Sequence, residues 1–292
     1  MQFIKSTTCM IILKECDFCP DQVREELENK SGLVRMKTDR NFANPEEAGK
    51  WYLDLCMQVG TPVSQSADGD LLLSIKNEAF DENDQRTRGP NTNRKLGFHT
   101  DRCDVISFLC LMPAKSGGEN QIVKSQEIYA SIKKERPDLL TILQEKFPYK
   151  RHVVDRGNTN PYVMQPIFSE KNGYFACSYL RVLIDRADKD EDCPSLTLMQ
   201  REALDFLDFV CERTELQTRL TMQKGEILML NNWTLLHRRT AFEDHPDCKR
   251  KRHLLRVWLS VPNSRPLHDS FAENFGSTIA GDIRGGMTPT HS

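Results

Sequence analysis

Leu96-Gly97-Phe98-His99-Thr100-Asp101-Arg102-Cys103-Asp104, running straight into Val105-Ile106-Ser107-Phe108-Leu109-Cys110-Leu111-Met112, is the stretch on which the reading of this chain turns. The second half is apolar, β-branched and aromatic, which predicts a buried strand with His-x-Asp at its mouth. In extended chain, side chains at i and i+2 share a face, so an imidazole and a carboxylate stand side by side. One more imidazole would complete the 2-His-1-carboxylate triad that holds ferrous iron on one side and leaves the other side open.

His-x-Asp alone is a weak signal, and the chain carries its own control in His245-Pro246-Asp247. That copy lies in a charged stretch with a proline and no apolar run beside it, and it reads as a solvated loop. The first copy is distinguished by the strand it opens and by what lies far downstream.

With 292 residues, 38% hydrophobic and 28% charged, the chain has ample material for a core. A net charge of -2 provides no basic field for nucleic acid, and no apolar run is long enough to span a bilayer. Neither a nucleic acid nor a membrane is expected as a partner; a homo-oligomer is left open. The first residues lack a sustained apolar segment, and the 10 cysteines are scattered as reduced thiols would be, so a cytoplasmic location is expected. Cys16-x-x-Cys19 has no second pair nearby and is read as inert.

The chain is expected to start with short strand-like and loop segments to about Asn44; Asn44 and Pro45 then start a helix that Gly60 stops, with Ala48, Trp51, Tyr52 and Leu55 as its packing face. A short strand is expected at Leu71 to Ile75, and the polar stretch 81–96 is a candidate lid because it enters the His99 segment directly. Ser116-Gly117-Gly118-Glu119-Asn120 is a turn; helices follow from Ser125 to about Lys134 and from Arg136-Pro137-Asp138 to Lys146. Strands are expected at Tyr149 to Val154, Tyr162 to Phe168 and Tyr174 to Leu180. Asp188-x-Asp190-x-Asp192 resembles a calcium loop without its glycine and closing glutamate, and is read as a solvated acidic turn. Thr197-x-x-Gln200 is a capping box opening a helix to about Thr214. Many strands, few helices and no βαβ alternation predict a mainly β fold with flanking helices, an antiparallel jelly roll, within one domain spanning 1–292.

Two further strands carry the remaining chemistry: Gly225 to Arg239, which leads to His237, and Arg252 to Ser260. Alternation places Arg252, Leu254, Arg256 and Trp258 on one face and His253 on the other. Two arginines in a core layer call for an anion. Among the seven histidines, His291, His245 and His268 lie in polar or turn segments, His253 faces away from the arginines, and His152 sits beside Lys150 and Arg151. His237, ending an apolar strand, is favoured as the third ligand.

Together, Gly97-Phe98-His99-Thr100-Asp101, Gly117-Gly118-Glu119, Asn231-Asn232-Trp233-Thr234-Leu235-Leu236-His237-Arg238-Arg239-Thr240 and Arg252-His253-Leu254-Leu255-Arg256-Val257-Trp258-Leu259 resemble the taurine dioxygenase-like family of iron(II)- and 2-oxoglutarate-dependent oxygenases. The resemblance runs from about Gly60 to Arg284-Gly285-Gly286 and implies a double-stranded β-helix, cupin-like, with its core over about 60–285. It implies His99, Asp101 and His237 as iron ligands, Arg252 as the clamp on the distal carboxylate of 2-oxoglutarate, and Arg256 as a residue for an acidic substrate group. Four residues of strand separate the two arginine backbones by roughly 13 Å, which keeps their roles apart. Where the family has Thr or Ser after the paired glycines, this chain has Glu119-Asn120, and the Asn120 amide can donate the equivalent hydrogen bond.

The reaction implied is oxidation, foremost hydroxylation, of a small anionic or zwitterionic metabolite, with dioxygen consumed and succinate and carbon dioxide released. Desaturation or ring closure would use the same oxidising chemistry. Arg102 is a second candidate for substrate binding at the rim of the site. Rival readings are a zinc hydrolase with the same His/Asp/His set, a catalytically silent metal-binding or sensor module, and a metal-free structural jelly roll. The last leaves Arg252 and Arg256 without an anion.

Overall fold

The run from Val105 to Met112 forms one continuous strand, Val105–Met112, and occupies the middle of the larger of two facing sheets. In the computed structural model, which describes residues 11–78, 89–151 and 160–289, that sheet has the order Ile11–Lys14, Leu33–Lys37, Glu226–Asn231, Val105–Met112, His253–Ser260, Thr61–Val63, with Leu73–Ile75 also pairing His253–Ser260. Every pairing is antiparallel except that of Ile11–Lys14 with Leu33–Lys37. The smaller sheet runs Gln217–Leu220, Asn120–Lys124, Leu235–Arg239, and isolated bridges extend it from His237 to His99 and from His99 to Leu180.

Period-2 alternation sorts the side chains into layers. From the larger sheet, Ile106, Cys110, Leu228, Leu230, Leu254 and Trp258 meet Ile122, Leu220 and Leu235 of the smaller one in a shared core. The other face of the larger sheet, with Val105, Leu109, Ile227, Met229, Leu255 and Val257, is covered by helices Pro20–Asn29 and Pro45–Val59. The outer face of the smaller sheet, through Val123 and Leu236, packs on helices Ser125–Glu135, Pro137–Leu143, Arg181–Asp188 and Leu198–Cys211. This is the jelly roll with flanking helices that the strand count predicts.

Local signals hold where side chains close hydrogen bonds within a few residues. Asn44 caps Pro45–Val59 by accepting from the Glu47 N–H at 2.9 Å, and Thr197 and Gln200 form both bonds of the capping box. Asp188 pairs with Arg201 and Asp190 with Lys150, so two of the three aspartates of the acidic turn are matched by protein cations.

The differences have identifiable causes. Helix Pro20–Asn29 stands where only short strands and loops are expected: of its buried residues only Val23 and Leu27 are apolar, and Glu26 is the third. Helix Arg181–Asp188 likewise presents a short apolar face. Ser125 is the first helical residue, and its hydroxyl donates to the Trp233 carbonyl at 3.4 Å. The strand expected from Tyr149 runs as Lys146–Lys150, and 152–154 lie outside the described residues. A break at Ile167 splits the next expected strand into Tyr162–Pro166 and Phe168–Lys171. The core also begins before residue 60, since Leu33–Lys37 is a partner of Glu226–Asn231 in the main sheet. Among the described residues no helix is long and apolar enough to cross a membrane, and the cysteines are free.

Candidate metal centre

His99 reaches the site through backbone pairing: its N–H donates to the His237 carbonyl and the His237 N–H to the His99 carbonyl, both at 3.0 Å. This reciprocal pair puts two imidazoles side by side, with ring centroids 4.5 Å apart. The Gly97 carbonyl lies 2.9 Å from His99 Nδ1, which places the proton there and leaves the Nε2 lone pair free. Nε2 atoms of His99 and His237 stand 3.9 and 3.4 Å from Asp101 Oδ2. One potential ligand atom from each of His99, Asp101 and His237 lies within 4.8 Å of the others.

Burial, reinforced by His237 and Arg256, pulls the His99 pKa down to about 4. Burial pushes Asp101 the other way, but His237, Arg256 and His99 outweigh it and hold the carboxyl below the usual range. At neutral pH this pair therefore presents a neutral imidazole and a carboxylate, the forms that ligate a divalent cation. Asp101 Oδ2 is buried without a hydrogen-bond partner, a costly arrangement unless a cation faces it.

The Asp101 turn is braced from behind. Asp104, 1% exposed, accepts from Trp233 Nε1 at 2.8 Å, Arg284 Nε at 2.7 Å and the Val261 N–H at 3.1 Å. The Gly286 N–H donates to the Arg102 carbonyl at 2.7 Å, and a Cβ at Gly285 would sit 2.6 Å from that same oxygen. The C-terminal Arg284-Gly285-Gly286 is thus a strap laid across the turn. On the smaller sheet, Arg238 stacks over the Phe98 ring at 4.0 Å and is held by Glu212 and Gln121. The residue before one imidazole is thereby clasped to the residue after the other.

In front of the ligands lies a cleft of about 470 Å³. Alternation along the Arg252 strand does what the sequence predicts: Arg252, Leu254 and Arg256 all line the cleft, while His253 turns away, its Nε2 3.0 Å from Ser74 Oγ. Arg252 is buried over Phe242, and its Nη1 has no hydrogen-bond partner; the Asn120 Nδ2 is likewise buried and unpartnered. Gly117, at φ 70°, lets the chain pass where a Cβ would stand 2.2 Å from the Ala241 carbonyl. Burial pulls Arg252 down to about 10, and burial with the charge of Arg252 pulls Arg239 to about 9. Arginine keeps its proton, so these depressions mark cations in want of an anion.

Arg256 is aimed by Gln65, whose Oε1 accepts from Nε at 2.7 Å, and stacks over Trp258 at 5.0 Å. Arg102, in contrast, is not among the described residues walling the cleft; its Nε donates to the Asn274 carbonyl. Sequence reasoning missed Arg239 and Gln65. Arg239 stands two residues beyond His237 in the same strand, so alternation could have found it. Its guanidinium holds the carbonyls of Thr92, Thr240 and Arg94, and so fixes the segment that brings Pro90 and Leu96 into the cleft wall. Residues 81–88 of the candidate lid lie outside the described residues.

Fold and site define a jelly-roll protein with a His-x-Asp…His centre at the open end between its sheets. A family model described as "Taurine catabolism dioxygenase TauD, TfdA family" matches residues 22–258, and the chain belongs to that family of dioxygenases. It is 29% identical over 242 residues to an FR-33289 synthase of Streptomyces rubellomurinus, covering 80% of this chain and 69% of that protein. It is 28% identical to the taurine hydroxylase-like protein SAT17 of Stachybotrys chartarum, covering 66% of this chain and about half (51%) of that protein. Among solved structures, an asparagine oxygenase in complex with Fe(II), 3-hydroxyasparagine and succinate has the same fold, at TM-score 0.63, 15% identity, and 82% and 80% of the two chains. So does the non-heme iron oxygenase OrfP in complex with Fe and alpha-ketoglutaric acid, at TM-score 0.60, 17% identity, and 82% and 79% coverage.

Proposed function

We propose that the protein is an iron(II)- and 2-oxoglutarate-dependent dioxygenase that hydroxylates a small anionic or zwitterionic metabolite. The observation carrying this reading is the conjunction, in one cleft, of a His99/Asp101/His237 set, His237 buried and the other two half-buried, with two buried, unpartnered donors, Arg252 Nη1 and Asn120 Nδ2. The first fits a divalent cation and the second a carboxylate.

His99, Asp101 and His237 would hold the metal. Arg252 and Asn120 would receive the distal carboxylate of 2-oxoglutarate, a charge-assisted pair in a water-poor corner. Iron held there with its cosubstrate would supply the oxidising chemistry, with one atom of dioxygen going into a substrate C–H bond, the other into succinate, and carbon dioxide released. Arg256, held by Gln65, would bind the acidic group of the substrate. Ile75, Pro90, Leu96, Phe108 and Leu254 provide apolar walls that keep water from the reacting carbon.

The test is Arg252→Ala. Loss of a charge-assisted hydrogen bond should weaken 2-oxoglutarate binding by about 1.5–3 kcal/mol, roughly 10- to 150-fold, while metal affinity is retained. Unchanged cosubstrate affinity, measured by anaerobic calorimetry on the metal-loaded protein, would remove Arg252 from the site.

A further inference from the structure

Asn232 lies in the motif Asn231-Asn232-Trp233, and the metal centre described above gives this asparagine no task. Its side chain is buried at 1% exposure. Its Oδ1 accepts from the Asp101 N–H at 3.1 Å, its Nδ2 donates to Cys103 Sγ at 2.9 Å, and its own N–H donates to the Asp104 carbonyl at 2.9 Å. One residue thus grips positions 101, 103 and 104, the turn that presents the carboxylate. It also lies between strands Glu226–Asn231 and Leu235–Arg239, in the connection that crosses from the larger sheet to the strand of the smaller one that carries His237. A single buried amide therefore joins the two halves of the ligand set.

We infer that Asn232 is a positioning residue for the metal centre, fixing Asp101 against His237 through the Asp101 backbone amide. The inference rests on the metal-centre reading above and deepens it. Asp101 Oδ2 is buried without a hydrogen-bond partner that would set its direction before a cation arrives. The backbone is the remaining handle, and the Asn232 bond falls on the ligand residue's own N–H. A purely structural asparagine would stabilise this connection without altering how the site receives a metal. Partners that orient ligands without touching the metal act on affinity and geometry instead.

The experiment uses cobalt(II) as the probe, with neither cosubstrate nor substrate present. Wild type, Asn232→Leu and Asn232→Asp are titrated while the cobalt d–d spectrum is recorded, and the melting temperature of each metal-free protein is measured in parallel. Leucine matches the volume but leaves the Asp101 N–H without an acceptor; aspartate keeps the acceptor. Asn232→Leu should bind cobalt about 10- to 100-fold more weakly, with an altered spectrum, and Asn232→Asp should recover most of the loss. Should Asn232→Leu not fold, Cys103→Ala releases Nδ2 alone and should give a smaller loss of affinity in a folded protein. Cobalt affinity and spectrum unchanged in the folded variant, with only the melting temperature lowered, would overturn the assignment. Wild type that fails to bind cobalt would overturn the metal centre itself, a separate result.

Discussion

Gln65 decides where Arg256 points, because its amide accepts from the guanidinium Nε and donates to the Arg256 and Leu71 carbonyls. Replacing it with leucine leaves the arginine in place but lets its head turn. Gln65→Leu should raise KM for the anionic substrate by roughly 10-fold, the worth of one hydrogen bond to a charged group, and leave 2-oxoglutarate affinity alone. Steady-state kinetics with each ligand varied in turn separates the two; equal effects on both would deny the division of labour between Arg256 and Arg252. At this scale the sequence is partly legible. Arg252 and Arg256 declare themselves by alternation within one strand, and His237 by elimination. Gln65 does not, since it meets Arg256 across 191 positions of chain and glutamine carries no sequence signal of such a role.

Strand His253–Ser260 shows how one element separates chemistry from structure. Alternation turns His253 toward Ser74 while Arg252 and Leu254 face the cleft, and the register with Val105–Met112 shifts between His253 and Leu254. Burial, with Lys76 nearby, lowers His253 from 6.5 to about 4. Between those values the unfolded chain binds a proton that the folded one refuses, so stability falls as pH drops from about 6.5 toward 4, and this contribution is constant above that window. His253→Gln keeps a partner for Ser74 and removes the titration. The difference in melting temperature between wild type and this variant should shift against wild type on acidification through that window; a pH-independent difference would contradict the account. Elements closed by local bonds, such as the Asn44 and Thr197 caps, were readable from sequence. Helix Pro20–Asn29 was not, because a helix docked on a finished sheet through Val23 and Leu27 needs little amphipathic pattern of its own.

On the scale of the molecule, the site is a junction. His99 and Asp101 come from the segment entering the larger sheet, His237 from the smaller sheet, and Arg252 and Arg256 from the strand next to Val105–Met112 in the larger one. What holds the junction is mostly polar and long-range: the buried Asp104–Arg284 pair, the Arg238 clasp on Phe98, and Arg239 on Thr92. Buried ion pairs add little net stability, and their use here is to fix one arrangement of segments far apart in sequence. Such contacts have no periodicity, which is why the layers and most ligating residues could be anticipated but their supports could not.

The central claim is that His99, Asp101 and His237 hold ferrous iron while Arg252 and Asn120 seat 2-oxoglutarate beside it. Its most direct test is anaerobic addition of iron(II) and then 2-oxoglutarate to the purified protein, recording the visible absorption of the chelated cosubstrate, with His99→Ala alongside. The account predicts a charge-transfer band in wild type that the variant lacks. No band in wild type, or one that survives His99→Ala, would contradict it.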